Sequence, residues 1–458
     1  MRRIHGFLTL MGIALLATRA SAQPAMPIHD TTLANGLHVI VIENHAVPLV
    51  TVEFNVKNGA YTQTPEYEGL AHLYEHMFFK ANRTITSQEK YLQRLRQIGA
   101  SWNGTTSDER VNYFLTVGVD SMRPALQFME DAIRYPLFDQ AELVRERPVV
   151  IGEFDRNEAN PYFHLGRGMD TILWTPAYYS HKNTMGDRTV ILGTPQEKMR
   201  EIQRRYYVPN NTAIILAGDV TSAQGFRMAN EVLGDWPRGA DPFATPIPDP
   251  PPLTKTQAVI VTQPVNSVTI QIELQGPSVT KDPVSTYAAD VLSTILAKPT
   301  SGFQKRLVDS GLSFGAGIGY YTLSHVGPIT LFLQTSPDKI QDARRAALDE
   351  IARMTDSNYV TQKELLDAQK ELGINALYER EEATNWAHTV GFWWSVAGLD
   401  YYRNYVPNMQ RVTRGDLARY AQKYMAGKPY VVGVLMSEDT RKKTGLTADA
   451  LLPKAIVP

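Results

Sequence analysis

His72, Glu75 and His76 fall within five residues of one apolar run, GLAHLYEHMFFK, in a chain that has only ten histidines. A helix advances about 100° per residue, so His72 and His76 lie on one face, one turn apart, where both imidazoles reach the same ion. Imidazole nitrogen binds zinc at about 2.0 Å, which suits that geometry. Glu75 stands next to His76 and one turn from His72, where its carboxylate can hold and deprotonate a water at the metal instead of ligating it. The pattern H-x-x-E-H is the inversion of the H-E-x-x-H zinc helix. Two ordinary histidines on a partly buried helix are the competing explanation, but chance produces such a pentad in roughly 1% of sequences of this composition.

A catalytic zinc takes three protein ligands and keeps a fourth position open. The segment AELVRERPVVIGEF, from Ala141 to Phe154, offers Glu146 and Glu153, seven residues apart and on one face if the segment is helical. Pro148 lies between them and must sit at a kink or near the helix start. Spacing alone does not choose between the two glutamates.

The hydrophobic pattern outlines the elements that must hold these residues. The chain has 458 residues, 43% hydrophobic and 20% charged, with a net charge of -1, the profile of a globular protein of two or three domains. The balanced charge and the lack of a long Lys/Arg run argue against nucleic acid as a partner. There is no cysteine, which excludes disulfides, thiolate metal ligands and thiol nucleophiles. Arg2 and Arg3, an uncharged run from Gly6 to Ala17 and the triplet Ala20-Ser21-Ala22 read as a secretory signal peptide over residues 1–22. That run is too short to span a bilayer, and no later stretch is apolar enough, so the expectation is export to a bacterial periplasm without membrane insertion after cleavage.

Seven prolines between Pro237 and Pro252 mark residues 237–253 as an extended linker. It separates a domain at 23–236, which holds the histidine motif, from a second at 254–458. The halves read alike. An amphipathic helix over Met199–Tyr207, a Pro-Asn-Asn turn and a buried strand over Thr212–Gly218 recur as Leu417–Tyr424, Gly427–Pro429 and Tyr430–Leu435. Each half opens on alternating strands, Leu37–Ile42 and Thr51–Val56 in one, Ala258–Thr262 and Val268–Leu274 in the other. The fold class expected is α+β, two homologous domains, each a mostly antiparallel sheet flanked by helices. The second half has no counterpart of the motif: its equivalent helix, Tyr287–Leu296, is apolar core material, so one zinc per chain is expected.

HLYEHMFFK, followed by Gly99-Ala100-Ser101-Trp102-Asn103-Gly104-Thr105-Thr106 and by Glu146-Arg147 with Glu153, resembles the pitrilysin/insulinase family of zinc peptidases, which includes the mitochondrial processing peptidase. The resemblance extends over the whole chain beyond the leader. It implies that the third ligand is the glutamate 77 residues beyond His76, which is Glu153, and that Glu146 is the supporting acidic residue that orients the site. It implies too that Asn103, Gly104, Thr105 and Thr106 lie on a substrate-binding edge strand, whose backbone would pair with an extended peptide and tolerate many sequences. The implied activity is zinc-dependent endopeptidase hydrolysis of unfolded peptides, with Glu75 as the proton-transferring residue, enclosed in a clamshell that closes with a partner subunit.

One departure from the family's pattern matters. Family members carry, in their second domain, an arginine and a tyrosine that face the zinc. Aligned on Gly311-Leu312, the arginine becomes Leu307 and the tyrosine Phe314, and phenylalanine has no hydroxyl to donate to a developing oxyanion. Arg306 is one residue off, and on a helix that points it about 100° away. The expectation is a heterodimer: this chain carries zinc, and a homologous partner supplies the Arg/Tyr pair. Two other readings remain, a non-catalytic structural subunit and a maturation protease dedicated to one peptide.

Overall fold

The computed structural model describes residues 26–453, so the leader assigned to residues 1–22 lies outside the described residues. Eleven strands build two sheets. The first contains β1 (Ile28–Thr32), β2 (His38–Glu43), β3 (Leu49–Val56), β4 (Ser101–Thr106), β5 (Val111–Gly118) and β6 (Thr212–Gly218), in the order β1-β2-β6-β3-β5-β4. The second contains β7 (Gln257–Thr262), β8 (Val268–Gln275), β9 (Gly315–Tyr320), β10 (Pro328–Thr335) and β11 (Val431–Met436), in the order β7-β11-β8-β10-β9. One pair in each sheet is parallel, β2 with β6 and β7 with β11, and every other pair is antiparallel. Strand for strand, β2-β6-β3-β5-β4 repeats as β7-β11-β8-β10-β9. The fold is α+β, and the duplication legible in the sequence is a duplication of topology.

The first five helices are α1 (Leu70–Phe78), α2 (Gln88–Gln97), α3 (Met122–Arg134), α4 (Gln140–Glu158) and α5 (Pro161–Leu173), of which α1 and α4 pack together to form the site. Leu70, Leu73, Tyr74, Met77 and Phe78 turn α1 into the first core, with Val52, Phe54 and Tyr113 of the sheet. Each such side chain withdrawn from water stabilises by about 1.5–3 kcal/mol. From Gly234 to Thr256 the chain carries neither helix nor strand.

The halves are less separate than their sequences suggest. Helix α5, from the first half, lies on β7 and β11 of the second sheet, with Leu165, Met169 and Leu173 packed against Val431 and Leu435. The helix Ala383–Val396, from the second half, lies on β3 and β6 of the first sheet, where Trp386, Val390 and Trp394 cover Ile40, Ile42 and Ile215. The reason is that β6 is buried at every residue, so the first sheet has apolar side chains on both faces and needs a layer on each. Helices α1 and α3 of the first half pack on the other face, within the first core.

Candidate metal centre

Helix α1 starts without a side chain at its N-cap, because Gly69 occupies that position at φ 87°. The Gln63 side chain serves instead: its Oε1 accepts from Gly69 N at 2.9 Å, and its Nε2 donates to Ser180 O at 3.2 Å and Asn183 O at 3.1 Å. Gly69 also presses on Gly186, and a Cβ at either would lie within 2.8 Å of the other's backbone. The start of α1 is thereby fixed in position and direction.

From that helix His72 and His76 project together, ring centroids 4.9 Å apart and planes at 80°. Helix α4, capped by Asp139, passes alongside and contributes both glutamates. Glu153 Oε2 stands 3.5 Å from His72 Nε2 and 3.5 Å from His76 Nε2. Two donors bound to one zinc at about 2.0 Å with tetrahedral angles are about 3.3 Å apart. The three donors, all within 4.8 Å of one another, therefore have the spacing of a ligand set around a common centre, and they are the one such group among the described residues. Two imidazoles and a carboxylate are a donor set that zinc accepts.

Glu146 does a different job. Its Oε1 accepts from His76 Nδ1 at 2.9 Å, and its Oε2 meets Lys80 Nζ at 2.5 Å. That hydrogen bond keeps the proton of His76 on Nδ1 and leaves Nε2 free to ligate. Although burial pushes the Glu146 carboxyl up, the hydrogen bonds from His76 and Lys80 hold it below the usual value. Burial and the neighbouring His76 push His72 down to about 4, so it stays neutral at physiological pH. His76 is pressed down by burial, yet the Glu146 hydrogen bond and the charges of Glu153, Glu146 and Glu75 carry it above the usual value. His72 Nδ1 is buried and has no hydrogen-bond partner among the described residues.

Glu75 does not join the ligand set. Its Oε2 accepts from Thr106 Oγ1 at 2.7 Å. Burial raises its pKa, the Thr106 hydrogen bond and His76 oppose the rise, and the charge of Glu153 adds to it. A carboxylate raised in this direction is better matched to moving a proton near neutral pH.

Strand β4 is an edge of the first sheet, paired on one side only, with β5. Its residues alternate. Gly104 and Thr106 face α1, whereas Thr105 turns the other way and donates to Asn112 Oδ1, and the exposed Asn103 accepts from Gly104 N at 3.0 Å. In the second half, Leu307 is buried in the core and Phe314 is 67% exposed at the start of β9. Arg306 is committed elsewhere, with Nε 2.5 Å from Glu350 Oε1 and Nη2 2.7 Å from Oε2, so it does not stand in for Leu307. Sequence reading missed Lys80 and Gln63. Lys80 carried a signal, four residues after His76; Gln63, in the loop before α1, carried none. Beside α5 a cavity of about 370 Å³ opens between the halves, lined by Phe163, Arg167, Asp170, Lys182 and Tyr321 among others.

Two family models match this chain, one described as Insulinase (Peptidase family M16) over residues 38–174, the other as Peptidase M16 inactive domain over residues 195–372. Together they span more than half of its length. The chain belongs to the insulinase family of peptidases. The first model contains all four of His72, Glu75, His76 and Glu153, and the second covers most of the half that lacks the motif. This insulinase-family chain is 22% identical over 369 residues to an uncharacterized zinc protease of Rickettsia felis, spanning 78% of this chain and 85% of that one. To the uncharacterized zinc protease YmxG of Bacillus subtilis it is 23% identical over 346 residues, 74% and 81% of the two chains. Among solved structures, a protease from Helicobacter pylori shares the fold at TM-score 0.78 and 20% identity, covering 89% of this chain and 99% of that one. The periplasmic protease PqqL of Escherichia coli matches at TM-score 0.76 and 16% identity, with 94% of this chain laid on 50% of that one.

Proposed function

We propose that the chain is a zinc-dependent endopeptidase acting on unfolded peptides in the periplasm, and the catalytic subunit of a heterodimer. The observation that carries this reading is the convergence of His72 Nε2, His76 Nε2 and Glu153 Oε2 at 3.5 Å spacings, with Glu75 beside them but outside the ligand set. His72, His76 and Glu153 would hold the metal, and Glu146 would orient His76. Zinc, when bound, supplies a Lewis acid for the scissile carbonyl and lowers the pKa of water toward about 7. Glu75 accepts the proton of the attacking water and then delivers it to the leaving amine nitrogen. The free edge of β4 would hold the peptide in extended form by backbone hydrogen bonds. With Leu307 and Phe314 in place of an arginine and a tyrosine, the chain itself offers no such pair, which supports a homologous partner that does.

The test is hydrolysis of an unstructured peptide by the purified chain, alone and mixed with a homologous partner that carries the arginine and tyrosine. The expected result is chelator-sensitive cleavage that reaches its full rate only in the mixture. Full activity from the single chain overturns the heterodimer; zinc-free protein, inactive in both samples, overturns the peptidase.

A further inference from the structure

Strand β4 reaches the zinc helix at two residues of one face. Thr106 Oγ1 donates to Glu75 Oε2 at 2.7 Å, the one side-chain hydrogen bond to Glu75 among the described residues. Two residues earlier, a Cβ built on Gly104 would lie 3.2 Å from Glu75 Cγ and 3.0 Å from Phe79 Cε2, so β4 backs closely onto the stem of the same side chain. One carboxylate oxygen is thus occupied by the strand, and Oε1 has no protein donor among the described residues.

The end of β4 that carries Thr106 is held firmly. In the turn that follows, Ser107 N donates to Arg110 O at 2.8 Å, and Asp108 O accepts from Tyr61 N at 2.9 Å. The buried Glu109 carboxylate accepts from Ser324 N at 2.7 Å and His325 N at 3.1 Å, and Arg110 Nη1 donates to His388 O at 2.8 Å. Ser324, His325 and His388 belong to the second half. The hydroxyl that meets Glu75 therefore rides on a turn clamped by both halves, and its position does not depend on a mobile loop.

We propose that Thr106 is a positioning residue: its hydroxyl fixes the orientation of the Glu75 carboxylate, and its side chain makes no contact with the peptide. This rests on the reading of Glu75 as the proton-transferring group. A carboxylate on a two-methylene stem loses its alignment when its fixing donor is removed, and misalignment of a reacting group costs up to about 100-fold in rate without weakening substrate binding.

Thr106→Val keeps the shape and β-branching of the side chain and removes only the donor. Expected are a fall in kcat of roughly 10- to 100-fold, an unchanged KM and unchanged zinc content, with Thr106→Ser restoring most of kcat. Gly104→Ala, which pushes on the Glu75 stem from the same strand, should give the same pattern if the valine variant does not fold. A raised KM at unchanged kcat overturns the proposal and makes Thr106 a substrate contact. The crystal structure of Thr106→Val supplies a readout that needs no activity: the Glu75 carboxylate should be rotated from its place in the parent chain. A carboxylate that stays in place overturns the proposal, whereas a parent chain without peptidase activity overturns the functional reading and leaves the crystallographic result to decide the positioning.

Discussion

The two nitrogens of His76 face two different glutamates, and that division decides which carboxylate is the candidate ligand. Glu146 takes the Nδ1 side at 2.9 Å and Glu153 the Nε2 side at 3.5 Å. Glu146→Gln keeps an acceptor but loses the charge that Lys80 and His76 share. Zinc affinity, measured by competition with a chelator, is expected to fall about 10- to 100-fold, and unchanged affinity contradicts the assignment. Glu75→Gln is expected to bind zinc normally and to lose turnover; loss of zinc in that variant would make Glu75 a ligand. The motif itself was legible in the sequence, because a helix turns a five-residue pattern directly into a shared face. The choice between the two glutamates was not, since residues seven apart share a face and differ only in which ring nitrogen they meet. About 10 Å of helix rise separates the two; tertiary packing sets which of them reaches Nε2, and only the family resemblance pointed to Glu153. The substrate-binding assignment of Thr106 came from the family resemblance alone; its hydrogen bond to Glu75 had no signal in the sequence, because a strand pattern gives the alternation of faces but not what each face touches.

Among the elements, α4 contains its own tension. Pro148 lies in the helix interior, between Glu146 and Glu153, where it removes the N–H that would bond the Val144 carbonyl. An interior proline costs about 3 kcal/mol against alanine, of which roughly 1 kcal/mol is recovered because proline restricts the unfolded chain. Pro148→Ala is expected to raise the stability of the metal-free chain by about 2 kcal/mol, read from denaturant midpoints, while lowering zinc affinity because the two glutamates shift relative to each other. A more stable variant with unchanged affinity would show that the proline has no part in aiming them. The strands that the sequence marked were placed to within two residues, as with Thr51–Val56 expected and Leu49–Val56 found, whereas β1, β9 and β10 were not marked. Runs of β-branched and apolar residues are a local property, but the alternation expected of this strand is not found: β3 is buried at every residue after Leu49, because both faces of the sheet are covered. The exchange of α5 and the helix Ala383–Val396 between the sheets was not legible, because a helix's apolar stripe does not name the sheet it will cover. Trp394 anchors that exchange, its Nε1 donating to His38 Nδ1 at 2.7 Å. Trp394→Ala is expected to cost about 3–5 kcal/mol, and a loss below 1 kcal/mol would mean that the helix is a dispensable cover.

In the molecule as a whole, duplication has left two related sheets with different duties. The helix Pro283–Ala297, which the sequence marked as the counterpart of the zinc helix, carries a single acid, the half-buried Asp290, which accepts from Tyr405 Oη at 2.6 Å. Burial pushes its pKa up to about 7, well above the ordinary carboxylate value of about 4. Between those values the unfolded chain has lost the proton and the folded chain keeps it, so stability falls as pH rises from about 4 to about 7 and then levels off. Asp290→Asn removes this penalty. Its stability gain over the parent should be small at pH 4 and reach on the order of 4 kcal/mol at pH 8, and a gain independent of pH contradicts the proton-retaining state. No residue of that helix takes part in a metal-binding group among the described residues, and the proposal is one zinc per chain. That claim has a direct measurement, anomalous diffraction at the zinc edge from crystals of the zinc-loaded chain. The account predicts one peak per chain, about 2.0 Å from His72 Nε2, His76 Nε2 and a Glu153 oxygen. An empty site with the peak elsewhere, or a peak held by Glu75 in place of Glu153, would contradict it.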